Sequence, residues 1–256
     1  MFQVRIAKAI LVAIVAGWAG FGLADEAGPA GTNGLWFPVG EKLTYQVYWG
    51  VIRVGLAEFS TGWRVGSNGT SNIVIRARAK TSGMVNRIFP VDDDVESEVD
   101  PATFLPVRFT QILNEGRHHR HDIFTFDYSN RVAVWEAPLK KRTKVVPIGA
   151  DTRDILTFIY FMRSKGYEVG RAETFQVVTN SKVYDLFVKG IRLETLELGD
   201  FGSMECLMVE PRAKFGEIFQ RRGQAWLWFS QDERRVCVRM AAKVPVASVK
   251  CVLIGV

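Results

Sequence analysis

The sequence predicts a mainly β fold, one large curved antiparallel sheet (an open barrel or a spiral) wrapped around a single apolar α-helix. About a dozen short segments alternate apolar and polar side chains, the period of a strand with one buried face. Most are joined by turn-forming clusters short enough for hairpins, such as Glu115-Gly116, Ser129-Asn130 and Asn180-Ser181. Among them lies one stretch of helical character, Asp151 to Gly166, apolar nearly all round.

The chain has 256 residues and a formal charge of +6. Arg5 and Lys8 precede an uncharged apolar run, Ala9 to Leu23, and Gly22-Leu23-Ala24 sets small residues before Asp25. That is the layout of a secretory signal peptide over residues 1–24, and the run falls short of the roughly 20 residues a spanning helix needs. Cleavage after Ala24 leaves 232 residues at +4, with no later stretch apolar enough to cross a bilayer as a helix. Residues 25–34 are small, polar and turn-rich, a flexible leader. Residues 35–256 then read as a single β-rich domain, since no interior linker or repeat divides them.

Glu41 to Trp49 alternates cleanly, with Leu43, Tyr45, Val47 and Trp49 on one face. Val54 to Arg64 follows with Gly55, Ala57, Phe59, Thr61 and Trp63 together, and then Asn72 to Lys80, with Ile73, Ile75, Ala77 and Ala79 inward and Arg76, Arg78 and Lys80 outward. Asn68-Gly-Thr70 matches a glycosylation sequon but sits where a hairpin turn is expected. Met84 to Phe89 is a short helical turn before Pro90. Strands follow at Val91 to Asp100, Pro106 to Leu113, His118 to Asp127 and Val132 to Ala137, after which Leu139 to Ile148 reads as a bridge to the helix.

In the helix, Asp151 takes the N-cap position, Arg163 and Lys165 fall in the last turn, and Gly166 ends it. At about 100° per residue, Ile155, Leu156, Phe158, Ile159, Tyr160, Phe161 and Met162 cover roughly 260° of the circumference. Such a helix is expected to be buried on most sides. Beyond it the strand pattern resumes at Thr174 to Thr179 and continues to Val246–Leu253, taking in Trp226 and Trp228.

Three cysteines, Cys206, Cys237 and Cys251, leave at least one unpaired in an exported chain. Cys206 with either partner and three buried free thiols both remain open, and no CxxC marks a redox or zinc motif. The basic excess is mild and dispersed, which argues against nucleic acid as a partner. No Gly-x-Ser-x-Gly elbow, phosphate loop, dinucleotide fingerprint or HExxH is present, so no catalytic residue and no cofactor is assigned. His119 and His121 share a strand face and are weak metal candidates, lacking a third ligand. The acidic row Asp92, Asp94, Glu96, Glu98 and Asp100 could supply a carboxylate pair for glycan hydrolysis or bind calcium, though it lacks a glycine-punctuated calcium loop, with cross-strand pairing to Arg76, Arg78 and Lys80 as the rival explanation.

Several short segments resemble an uncharacterised family of exported bacterial proteins, domain of unknown function 3108. They are Phe37-Pro-Val-Gly-Glu-Lys-Leu-Thr-Tyr45 with Trp49-Gly50, Phe89-Pro-Val-Asp-Asp93, Val99-Asp-Pro101, Asp154-Ile-Leu with Tyr160-Phe-Met-Arg163, and Trp228-Phe-Ser-Gln-Asp232 with Arg234-Arg235. Their order runs across nearly the whole mature chain, with Cys237 a departure where proline is expected. The resemblance implies export and a β-rich fold and transfers no activity.

The functional expectation is a periplasmic, non-catalytic cell-envelope protein that binds a lipid or other apolar envelope component within the curved sheet. Tyr45, Trp49, Phe59, Trp63, Phe158 and Phe161 are the candidate ligand-binding residues. An envelope glycan hydrolase using strand 92–100 and a scaffold that binds an envelope protein are the alternatives. The deciding geometry is whether the helix fills the sheet or closes only one end of it.

Overall fold

The computed structural model describes residues 34–66, 69–215, 218–219, 224–243 and 248–256. The expected signal peptide, the leader up to residue 33 and Asn68 of the sequon lie outside them. The N-terminal half contains β1 (Lys42–Trp49), β2 (Ile52–Val65), β3 (Ser71–Thr81), a short helix α1 (Gly83–Ile88) and β4 (Asp92–Val99). It continues through β5 (Pro106–Glu115), β6 (His118–Asp127), β7 (Val132–Ala137) and β8 (Arg142–Pro147) to α2 (Ile155–Arg163). Then come β9 (Ala172–Thr179), β10 (Lys182–Glu197), β11 (Ser203–Phe215), β12 (Ile218–Phe219), β13 (Gln224–Ser230), β14 (Cys237–Lys243) and β15 (Ser248–Gly255).

All of these strands join one antiparallel sheet, in the order β8-β7-β6-β5-β4-β3-β2-β1-β15-β14-β13-β11-β10-β9, with β12 off the path beside β11. It is a mainly β protein, an open curved sheet around one buried helix, as the alternating segments predict. Almost every neighbour in the sheet is also a neighbour in sequence. The one long-range pairing joins β1 to β15, with Thr44 opposite Gly255 and Trp49 opposite Val249. Inner rows follow the period of two: Leu43, Tyr45 and Val47 on β1, Ile73, Ile75, Ala77 and Ala79 on β3, and Val95, Ser97 and Val99 on β4 are all buried.

The sheet curls until its two edges approach each other. Lys144 Nζ on β8 donates to Ser181 O, and Arg120 on β6 donates to Asn180 Oδ1, both acceptors at the tip of the β9–β10 hairpin. Arg153 closes part of the remaining gap by pairing in parallel with Val177 of β9, through Arg153 N to Gln176 O at 3.0 Å and Val178 N to Arg153 O at 2.9 Å. Close approach of chains is met with glycine: a Cβ on Gly55 would lie 2.1 Å from Lys80 O on β3.

Two expectations are corrected. The helix begins at Ile155 with Asp154 as its N-cap, three residues later than a cap at Asp151 would set it, and its last helical residue is Arg163. Arg153 is extended instead, because its backbone groups are taken by β9. Residues 139–148 are more than a bridge: Arg142–Pro147 pairs with β7 from Val132↔Pro147 to Ala137↔Arg142 and forms one edge of the sheet. The three cysteines are free and buried.

Because neighbouring strands are antiparallel, the connections fall at two ends. The β1–β2 turn, α1, the β5–β6 turn and the β7–β8 turn lie at what we term the upper end. Helix α2 lies at the lower end.

Candidate functional site

Helix α2 is tied down at both termini by buried polar groups. Asp154 Oδ1 accepts from the backbone N–H of Leu156 (2.8 Å) and Thr157 (3.0 Å), satisfying donors that a helix start leaves open. Its other oxygen accepts from Ser97 Oγ at 2.6 Å and Thr157 Oγ1 at 2.7 Å. Burial pushes the Asp154 carboxyl above its ordinary range, and these four hydrogen bonds pull in the opposite direction. Asp154→Ala removes the cap and leaves the buried Ser97 hydroxyl with Thr157 Oγ1, at 2.9 Å, as its remaining partner. The expected loss is about 2 kcal/mol in urea unfolding, with Asp154→Asn losing less.

At the other terminus Arg163 and Glu41 form a two-pronged ion pair at 2.6 and 3.0 Å, each side chain only 1% exposed. Arg163 also donates to Arg234 O at 3.1–3.2 Å, and the Arg234 guanidinium reaches Glu41 at 3.2 Å. Burial draws the Arg163 pKa down, but the hydrogen bond and charge of Glu41 outweigh it, and the net shift is upward. Trp36 Nε1 donates to Tyr160 O at 2.6 Å, and Tyr45 Oη donates to Cys237 O at 2.8 Å. The strand pattern of Glu41 to Trp49 hid Glu41's role; it precedes β1 and serves the helix.

Both anchors are at the lower end. Ser97 lies in the lower half of β4, Glu41 just below β1, and Arg234 in the turn below β13. A helix of nine residues is about 13.5 Å long. The inner rows continue past it toward the upper end with Ala57, Ala77, Ala79 and Gly55.

The six candidate ligand residues are dispersed among these environments. Tyr45 and Phe59 are buried with ring centroids 5.5 Å apart. Phe158 is buried beneath Phe175, at 5.6 Å. Phe161 is partly exposed, 6.2 Å from both Trp36 and Phe175, with the Arg153 guanidinium 3.7 Å above its ring. Trp63 is half-buried at the lower end of β2, whereas Trp49 is 43% exposed at the upper end of β1. So the structure brings together Tyr45 with Phe59, and Phe158 with Phe161, but not all six. At the lower end, Leu35 to Val39 with Glu233 and Arg234 border an open cleft of about 420 Å³. A smaller one of about 220 Å³ lies beside Met162, Tyr167, Leu207, Phe229 and Arg235.

His119 and His121 face outward on β6, and His119 Nδ1 lies 2.9 Å from Asn114 Oδ1. Among the described residues no three metal-ligating side chains come together. The acidic row lies on the outer wall and is matched to basic neighbours. Asp94 accepts from Arg76 at 2.9 Å and Arg78 at 3.2 Å, Glu96 from Arg64 at 2.7 Å, and Asp92 from Lys80 at 3.0 Å. Glu98 accepts from Asn72 at 2.7 Å.

Sequence reasoning passed over Asp93. It shares the inward face with Val91, Val95 and Val99 and is 1% exposed. Asn114 N donates to its Oδ1 at 2.8 Å, while Oδ2 has no hydrogen-bond partner. Burial, with the Glu115 charge adding to it, pushes its pKa up to about 8. Strict alternation along Val91-Asp-Asp-Asp-Val95 was the signal that placed it inside.

A family described as "Protein of unknown function (DUF3108)" matches residues 44–254. No curated protein matches the chain. Among solved structures, the chain is similar to a β-barrel-like protein of domain of unknown function DUF1849 from Brucella abortus. The TM-score is 0.54 at 9% identity, over 83% of this chain and 95% of that one, a likeness of fold alone.

Proposed function

Since the chain belongs to the DUF3108 family, whose description names no activity, we propose a function from its own residues. It is an exported, periplasmic, non-catalytic cell-envelope protein that holds a lipid or other apolar envelope component inside the curved sheet. The observation that carries this reading is the position of α2. Its anchors, Ser97 at one terminus and Glu41 with Arg234 at the other, lie toward one end of the sheet, which supports reading the helix as a floor rather than a full-length filling. Above that floor the inner wall carries small side chains, Ala57, Ala77 and Ala79, flanked by Val47, Val95 and Leu113. These side chains are buried, so entry of an acyl chain requires the packing over them to part, and their small size is what leaves it width. The apolar run before Asp25, with its small-residue cleavage pattern, supports export.

The ion pairs along the acidic row weigh against the hydrolase alternative. Each carboxylate meets a cation or amide on the outer wall, instead of facing a partner carboxylate across a cleft.

Organic extraction and mass spectrometry of the soluble protein recovered from expressing cells test the reading. The expected result is a co-purifying apolar component, displaced by a fluorescent fatty acid, with uptake reduced at least fivefold in Ala77→Phe. Circular dichroism and unfolding of Ala77→Phe separate lost binding from lost folding. Absence of both a co-purifying component and probe uptake by the wild type would refute it.

A further inference from the structure

The upper end of the sheet differs from the walls in both its apolar and its charged residues. The five most exposed large apolar side chains of the described chain all project there: Val51 (93%), Ile88 (79%), Met84 (77%), Leu139 (62%) and Ile52 (60%). Val51 is in the β1–β2 turn and Ile52 begins β2, Met84 and Ile88 belong to α1, and Leu139 is in the turn between β7 and β8. No residue of α1 is buried, so its apolar side chains are not there to complete the core. The helix is nonetheless fixed in place. Ser82 N donates to Val54 O at 3.0 Å, and Phe89 packs on Gly116 of the β5–β6 turn, which in turn donates from its N–H to Pro90 O at 2.7 Å. The turns are therefore neighbours along one rim.

Interleaved with them are six exposed basic residues: Arg53 beside Ile52, Arg87 beside Ile88, Arg117 in the β5–β6 turn, and Lys140, Lys141 and Arg142 beside Leu139. None of the six has a carboxylate within ion-pair distance among the described residues. On the outer face of β1 to β3, by contrast, Lys42, Arg64, Arg76, Arg78 and Lys80 are each paired with an acidic residue of a nearby strand. Exposed apolar tips among unpaired cations, at one end of a rigid sheet, suit a surface that is anionic outside and apolar just beneath. A soluble protein partner of ordinary composition offers acidic groups but no depth for five separate apolar tips.

We propose that the upper rim docks on an anionic lipid bilayer, with Val51, Ile52, Met84, Ile88 and Leu139 entering the acyl boundary and the six cations meeting lipid phosphates. In this orientation the anchors of α2 lie at the end away from the membrane. The proposal does not require that the protein carry an apolar ligand, and its test is separate.

Flotation with vesicles is the experiment, comparing phosphatidylglycerol mixed with phosphatidylethanolamine against phosphatidylcholine alone. Wild-type soluble protein is expected to float with the anionic vesicles, at least tenfold more than with phosphatidylcholine, and less as salt rises. Val51→Asp with Ile88→Asp is expected to reduce flotation at least tenfold while unfolding stability stays within error, because both side chains are already in water. Lys140→Glu with Lys141→Glu is expected to weaken binding to anionic vesicles only. Failure of the wild type to float with anionic vesicles overturns the proposal, and so does equal flotation of Val51→Asp/Ile88→Asp. A concentration-dependent dimer abolished by the same pair, without vesicle binding, would assign the rim to a second copy of the chain and overturn it as well. Loss of the fatty-acid probe without loss of flotation would refute the ligand reading and leave the docking reading intact.

Discussion

Replacing Arg163 by alanine is expected to cost about 3–5 kcal/mol of stability, because it leaves the Glu41 carboxylate buried beside a single, more distant cation. Two hydrogen bonds of the pair disappear together with those to Arg234 O, so the end of α2 loses its hold on the turn below β13. Glu41→Gln should cost less, since the amide oxygen still accepts from one guanidinium nitrogen. The informative variant is the double replacement Arg163→Met with Glu41→Leu. It removes both charges and keeps most of the volume, so it should recover more than half of the loss. Urea unfolding at neutral pH of the wild type, Arg163→Met, Glu41→Leu and the double replacement checks this. Additive losses would show that the two side chains do not act as a pair.

The second large effect depends on pH. The Asp93 carboxyl is held above its ordinary range of 3.8, at about 8, by burial and by the Glu115 and Asp92 charges, so near neutrality it is mainly protonated in the folded protein. In the unfolded chain it has already lost its proton. The folded state therefore binds more protons between those two values, and stability falls as pH rises through that window. At about 1.4 kcal/mol per unit, the displacement sets a ceiling of roughly 6 kcal/mol, and the realised loss across the window should amount to about half of that. Asp93→Asn keeps the acceptor for Asn114 N and has no proton to lose. It is expected to flatten the stability profile between about pH 5 and pH 9 and to exceed the wild type in stability at the alkaline end. Denaturation midpoints at several pH values decide it. An unchanged slope in Asp93→Asn would assign the pH dependence to other groups.

Local features of this molecule were legible in its residues. Hairpin turns at Glu115-Gly116 and Asn180-Ser181, the inward rows of β1 to β4 and the all-round apolar helix need only nearest-neighbour patterns to be read. The helix start was misplaced because Asp151 and Asp154 are equally good caps in isolation. What separates them is distant: the backbone of Arg153 is occupied by Gln176 and Val178 of β9. Edge strand β8 was missed for the related reason that Arg142 to Val145 are exposed, leaving no apolar row to follow. The candidate ligand residues were chosen for aromaticity, which does not report depth. Tyr45, Phe59 and Phe158 are structural members of the core, while Trp49 stands at the rim. Glu41 and Asp93 carry the largest electrostatic consequences; the strand period placed Asp93 inward, but nothing local marks Glu41, whose burial is a property of the assembled sheet.

The pairing of β1 with β15 constrains the order of events during synthesis. Thirteen of the fourteen strand pairings join strands close in sequence and can form by adding each new strand to the previous ones. The flank of β1 that faces away from β2 has its partner, Val249 to Gly255, about two hundred residues further along the chain. Until that last segment is made, Tyr45, Val47 and their neighbours present a row of unpaired amide and carbonyl groups, the kind of edge at which chains pair with one another. A chain that crosses a membrane before folding would deliver this edge early and its cover last. Assembly of the sheet is thus timed by its C-terminus, and the final strand closes the fold by joining its two ends.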